Sequence, residues 1–200
     1  MTGAAHHGVV LLAAGRSRRL GTPKQLLEIG GETLVRRAVR LALATSPRDA
    51  VVVTGDHAKA VEEAIRGLAV RCIGAEDFDE GMGRSLAAGL MHLDPVCAGA
   101  LVVLCDQPAL TGEHLARLVE AWQAAPASAA ASGYAGIVGV PAVLPRAWFP
   151  KLMAARGDRG ARDLLRENAC EIRVIEDERL AEDVDRPEGA AGLETRSQQN

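Results

Sequence analysis

Short β-branched runs alternate along this chain with longer stretches in which apolar residues recur every three to four positions. The runs are Val9–Leu12, Ala50–Val53, Ala69–Ile73 and Ala100–Leu104. Continuous apolar runs of this length mark parallel strands covered on both faces. Residues 32 to 44, 57 to 67, 82 to 93 and 111 to 124 fit helices. In the last of these Leu115, Leu118, Val119 and Trp122 fall at i, i+3, i+4 and i+7, and Thr111 stands where an N-cap belongs. Alternating strands and helices predict right-handed βαβ crossovers and an α/β fold, a doubly wound three-layer sandwich around a mostly parallel sheet. The ligand site of such a sheet lies at the carboxyl ends of its strands, so the loops that follow them carry the chemistry.

From about residue 126 the pattern changes to an Ala/Ser/Gly stretch containing Gly133, Gly136, Gly139, Pro141 and Pro145. Ile137, Val138, Val140 and Val143 would be wasted in a disordered tether, so two short strands and a substrate-facing loop are expected there. Residues 146 to 168 read as two helical pieces broken by Gly157 and Gly160, and 171 to 175 as a last strand. The segment 189–200 is a polar tail expected to fray. No internal repeat is present.

Composition narrows the function classes. With 200 residues, 48% hydrophobic and 24% charged, the chain has the make-up of one ordinary globular domain. Aromatic residues are only 2%, which leaves the core to Ala, Val, Leu and Ile and leaves few rings for stacking on bases. A formal charge of −3 provides no overall basic field for nucleic acid, so any anion site must be local. Cys72, Cys97, Cys105 and Cys170 form no C-x-x-C pair, and buried reduced thiols are expected. Neither a signal peptide nor a membrane-length apolar run is seen, which points to the cytoplasm and no membrane partner.

Directly after the first strand comes Gly15-Arg16-Ser17-Arg18-Arg19-Leu20-Gly21-Thr22-Pro23-Lys24. Four cations, Arg16, Arg18, Arg19 and Lys24, stand within nine residues beside two glycines that allow close backbone approach. Such a loop can surround a polyphosphate with amides and charge, or it can be a solvated basic surface loop. It is neither a P-loop nor a dinucleotide fingerprint, and the latter absence counts against an NAD-binding protein.

The order Leu12-Ala13-Ala14-Gly15-x-Ser17-x-Arg19-Leu20-Gly21-x-Pro23-Lys24 resembles the signature loop of the MobA-like NTP transferases, most closely the molybdenum cofactor cytidylyltransferases. Further segments agree in sequence order: Thr54-Gly55-Asp56, Gly81 to Leu90, Cys105-Asp106-Gln107-Pro108, Tyr134 to Pro141, Gly157 to Arg162 and Asp183 to Glu188. Together they span residues 9 to 188. The resemblance implies the Rossmann-like nucleotide-diphospho-sugar transferase fold in a single domain over 1–188, with a nucleotide-binding half at about 8–125 and an acceptor-binding half at about 126–188.

It also implies roles. Ala13, Ala14 and Gly15 would contact the nucleotide through their backbone, and Arg19 and Lys24 would neutralise its phosphates. Lys24 would act most where charge develops as pyrophosphate departs. Asp106 would be the first ligand of Mg²⁺, or of Mn²⁺; its other reading is a turn residue before Pro108. Asp185 resembles the second metal carboxylate, with Asp183 its near competitor. Ser85, two residues after Gly83 at a helix start, resembles the base-contacting serine of cytidylyltransferases or is a helix cap. Ala14 points to CTP over GTP, because a methyl there narrows a pocket that would have to accept a purine. Arg159 and Arg162 could hold the acceptor or be solvated helix charges.

The implied reaction moves CMP from CTP to the terminal phosphate of molybdenum-molybdopterin, giving molybdopterin cytosine dinucleotide and pyrophosphate. An apo molybdenum hydroxylase of the xanthine dehydrogenase type would receive the product, and a monomer is expected. None of His6, His7, His57 or His92 is assigned a catalytic role. Val140 stands where close relatives often have His, and Leu144 where an aromatic is common, departures that bear on the acceptor. The alternatives are a nucleotidyltransferase using GTP or a sugar or polyol phosphate, and a non-catalytic carrier of the molybdenum cofactor.

Overall fold

A computed structural model describes residues 5–15, 23–75, 81–154 and 161–182. The apolar runs form β1 (His7–Ala13), β4 (Asp49–Thr54), β5 (Arg71–Gly74) and β6 (Gly99–Leu104). Every residue of β1 is buried, as two-sided coverage requires. A two-stranded ribbon, β2 (Glu28–Ile29) with β3 (Glu32–Thr33), precedes α1 (Leu34–Leu43). This corrects the expected start of that helix at residue 32: Thr33 caps it, its side chain accepting from the Arg36 N–H.

The remaining helices are α2 (Ala58–Ala64), α3 (Met82–His92), α4 (Gly112–Gln123), α5 (Phe149–Ala154) and α6 (Ala161–Glu167). Thr111 caps α4, and Leu115, Leu118, Val119 and Trp122 are all buried, as their spacing predicts. The Ala/Ser/Gly stretch folds as an antiparallel hairpin of β7 (Ala130–Tyr134) and β8 (Ile137–Pro145), and β9 (Arg173–Glu176) closes the sheet beside β7. Its two-residue turn, Ala135-Gly136, has φ of 48° and 70°, the positive values that match a hairpin's twist. Gly157 and Gly160 lie outside the described residues.

The seven strands lie in the order β5-β4-β1-β6-β8-β7-β9, and only β8 runs against the rest. Alternate residues of β1 feed two apolar layers. Val9 and Leu11 pack with α1 and α4 through Val35, Leu115 and Trp122. Val10 and Leu12 pack with α3, α5 and α6 through Leu86, Leu152 and Leu165. This is the α/β three-layer sandwich that the sequence predicts. A Cβ on Gly89 of α3 would overlap Val10 Cγ1, so the bare glycine lets α3 settle onto β1.

All four cysteines are unpaired; Cys97 and Cys105 are buried, but Cys72 and Cys170 are exposed, which corrects the expectation of four buried thiols. Cys72 lies on the edge strand β5 and Cys170 in a short 3₁₀ turn, Ala169–Glu171, where no second layer covers them. Burial pushes the Cys105 thiol up to about 12, helped by the neighbouring Asp106 charge. Among the described residues no helix is long and apolar enough to cross a membrane.

Candidate active site

The chain leaves β1 for β4 on one side and later returns to β6 on the other, so a crevice opens between the carboxyl ends of β1 and β6. One residue from each of the segments that follow these strands meets the other there. From the first comes Lys24, delivered by a 3₁₀ turn at Lys24–Leu26 whose geometry begins at Pro23. From the second comes Asp106, two residues past β6. Lys24 Nζ and Asp106 Oδ2 form an ion pair across 82 residues of sequence, each side chain more than four-fifths buried. Asp106 Oδ1 is buried and has no hydrogen-bond partner.

A cavity of about 530 Å³ opens on this pair. Leu86 and Leu104 form apolar wall, Tyr134 and Val140 of the hairpin form the facing side, and Arg162 of α6 stands at the edge. The hairpin thus lines the cavity beside Asp106. Gln107 lashes this side together: its Nε2 donates to the Val140 and Leu180 carbonyls, each at 3.3 Å. The Tyr134 hydroxyl donates to the same Val140 carbonyl at 2.9 Å.

At the end of β1 Gln25 plays a comparable part. It is 1% exposed, and its Nε2 donates to the Ala13 carbonyl at 2.9 Å and the Gly15 carbonyl at 2.6 Å. Ala13 and Ala14 are buried at the end of β1. Ser85 is 4% exposed in the first turns of α3, but the cap of that helix is Gly81, so the capping reading of Ser85 does not hold. Met82 and Leu86 on either side of it line the cavity, while Gly83 is buried between them. Arg16, Arg18, Arg19, Asp183, Asp185 and Arg159 lie outside the described residues.

A divalent cation fits the chemistry of Asp106. A buried carboxylate oxygen without a partner is a hard donor, and Mg²⁺ or Mn²⁺ takes one or two protein carboxylates and completes its shell with water and phosphate oxygen. Among the described residues no group of three or more His, Cys, Asp or Glu could hold a metal by itself.

Gln25 and Gln107 escape sequence reasoning as site-builders. Their one signal is adjacency, since each directly follows a charged candidate, Lys24 and Asp106. His114 escapes it altogether. Its Nε2 lies 2.7 Å from Ser132 Oγ, whose own proton goes to the Pro141 carbonyl at 2.7 Å, so the imidazole must donate to the hydroxyl. Burial holds His114 below its ordinary pKa against the opposing pull of Asp177. It braces the hairpin from the side away from the cavity.

Comparison with known proteins places this architecture. Residues 9–173 match the family model of the MobA-like NTP transferase domain. The purine catabolism protein PucB of Bacillus subtilis (strain 168) is 30% identical, covering 90% of this chain and 91% of its own. The bifunctional protein GlmU of Kineococcus radiotolerans is 37% identical over 56% of this chain, a match that spans only 24% of GlmU. Among solved structures, Rv0371c of Mycobacterium tuberculosis H37Rv superposes with a TM-score of 0.81 and 28% identity, covering 95% of this chain and 98% of the other. A second structure of Rv0371c is a complex with manganese, with a TM-score of 0.79 at 26% identity over 94% of this chain and 98% of that one. With the family signature running through five-sixths of its length and the Lys24–Asp106 pair at the sheet's switch point, the chain belongs to the MobA-like NTP transferases and is a nucleotidyltransferase of that family.

Proposed function

We propose that the protein transfers CMP from CTP to the terminal phosphate of molybdenum-molybdopterin, forming molybdopterin cytosine dinucleotide and releasing pyrophosphate. The observation that carries this reading is the meeting of Lys24 and Asp106 beside a cavity large enough for a second substrate. The loop after β1 and the loop after β6 then hold the donor, and the hairpin β7–β8 with α6 holds the acceptor.

The residues divide the work by charge. Lys24 neutralises Asp106 in the ligand-free protein and turns to the triphosphate when nucleotide arrives, stabilising the charge that grows on departing pyrophosphate. Arg19 adds a second cation to the phosphates. Asp106, relieved of Lys24, holds the divalent ion, with Asp185 as its second carboxylate. That ion, Mg²⁺ or Mn²⁺, supplies Lewis-acid polarisation of the α-phosphate. The manganese complex of Rv0371c supports the choice of a divalent cation. Ala13, Ala14 and Gly15 contact the nucleotide through the backbone, and Gly83 and Ser85 lie toward the base.

The acceptor needs no general base. A phosphate monoester has its second pKa near 6, so at neutral pH it is already largely a dianion, a competent nucleophile. The apolar wall from Leu86, Leu104 and Val140 suits the flat face of a fused heterocycle better than a polyol. Similarity to a protein named for purine catabolism supports an apo molybdenum hydroxylase of the xanthine dehydrogenase type as the recipient.

The test is pyrophosphate release by purified protein with molybdenum-loaded molybdopterin and Mg²⁺, comparing CTP, GTP, ATP and UTP. Release with CTP alone, and only with the pterin present, is expected. Release with GTP would move the donor assignment, and release only with a sugar or polyol phosphate would move the acceptor.

A further inference from the structure

Gln25 lies in the 3₁₀ turn that also carries Lys24 and is 99% buried. Its amide nitrogen has two hydrogens, and each finds one carbonyl, Ala13 at 2.9 Å and Gly15 at 2.6 Å. Ala13 is the last residue of β1 and Gly15 lies two residues past it. The β1–β6 ladder ends at Leu12 and the β1–β4 ladder at Ala13. Gln25 thus ties the buried carbonyl of the last β1 residue to that of the exposed Gly15 just beyond it.

Peptide geometry gives this clamp a consequence on the other side of the chain. In a trans peptide the C=O and N–H of one plane point in opposite directions. The Ala13 carbonyl turned to Gln25 therefore turns the Ala14 N–H away from Gln25. Lys24, the neighbouring residue of the same 3₁₀ turn, is directed at Asp106 from this turn as well. One three-residue turn thus sets both the backbone donor and the side-chain cation of the site. An amide aimed before the ligand arrives needs no reorganisation when negative charge comes to meet it.

We infer that Gln25 is a positioning residue of the nucleotidyl transfer, which by clamping the Ala13 and Gly15 carbonyls aims the Ala14 amide at the bound nucleoside triphosphate. The inference rests on the proposed reading of the first loop as the nucleotide cradle. It does not depend on which base or acceptor is used.

Gln25→Met keeps the length and removes both donors. With Mg²⁺ and the nucleotide that the wild type binds best among CTP, GTP, ATP and UTP, calorimetry of the variant should show Kd raised about tenfold, the scale of one or two lost hydrogen bonds. KM for that nucleotide should rise in step, while kcat at saturation stays within about twofold and KM for the acceptor is unchanged. Equal nucleotide affinity in a folded variant would overturn the inference, as would a fall in kcat with KM constant. Should Gln25→Met not fold, the wild type carries the test: in ¹⁵N–¹H spectra the Ala14 amide should move on addition of Mg²⁺ and that nucleotide, and an unmoved Ala14 resonance would overturn the inference. A wild type that binds GTP in preference to CTP would instead count against the cytidylyl reading and leave the role of Gln25 intact.

Discussion

Ala14 is one methyl group in a buried position at the end of β1, and on the proposed reading that methyl decides the base. Ala14→Gly should relax the preference for CTP over GTP, measured as the ratio of kcat/KM values, by about tenfold, the usual worth of one methyl in a discriminating pocket. Unchanged discrimination would place the choice of base elsewhere. Lys24 makes a second prediction at the same scale. Because it sits on Asp106 as a counter-ion, Lys24→Gln should raise the affinity of the nucleotide-free protein for Mn²⁺ by several-fold, read by the loss of free-Mn²⁺ electron paramagnetic resonance signal, although turnover falls.

His7 carries the pH dependence of stability. Burial, followed by the charge of His6, pushes its pKa from the ordinary 6.5 down to about 4. Its Nε2 must donate to Thr45 Oγ1 at 2.9 Å, because the Thr45 proton goes to the Ala42 carbonyl. The folded state binds this proton less readily than the unfolded chain. Stability from His7 is therefore complete above about pH 6.5 and drains away as pH falls toward 4, by ~3 kcal/mol at most. His114 acts in the same direction. Carboxylates held below their ordinary range, Asp177 by Arg179 and Glu32 by Arg40, lose their share only at lower pH. Thermal unfolding followed between pH 7 and 4 should show the first loss, and His7→Gln should flatten it; an equally steep profile would remove His7 from the account.

Among the elements, legibility follows burial. β1, β4 and β6 stand out in the sequence because sheet and helices cover both their faces, so nearly every position is apolar. The ribbon β2–β3 has two residues per strand, too short to show any period, which is why Glu32 and Thr33 read as helix. Lys24 and Asp106 are legible through the order of motifs around them. Gln25, Gln107 and the His114–Ser132 pair are not, since a buried polar side chain declares itself only through partners 10 to 73 residues away. Gly89 tests the packing of α3 on β1, the contact that positions Ser85. Gly89→Ala should destabilise the fold by about 1–3 kcal/mol through overpacking against Val10, measured as a fall in the urea midpoint with the slope unchanged. A neutral substitution would mean that α3 can lift away at no cost.

For the molecule as a whole, a parallel half brings two loops to one crevice, and the hairpin with its antiparallel β8 adds the second wall. On the proposed reading, a chain with no overall basic charge meets polyphosphate locally, through Lys24, which topology brings to one strand end. That division also separates catalysis from carriage of a cofactor, for a carrier would need the cavity but not the carboxylate. The most direct test of the account is therefore Asp106→Asn, which keeps the shape and removes the charge. The account predicts that pyrophosphate release from CTP with molybdenum-loaded molybdopterin falls by at least ~100-fold while the folded protein keeps its cavity and still binds the pterin. Undiminished release from the variant, with a matched circular dichroism spectrum and melting temperature, would contradict it.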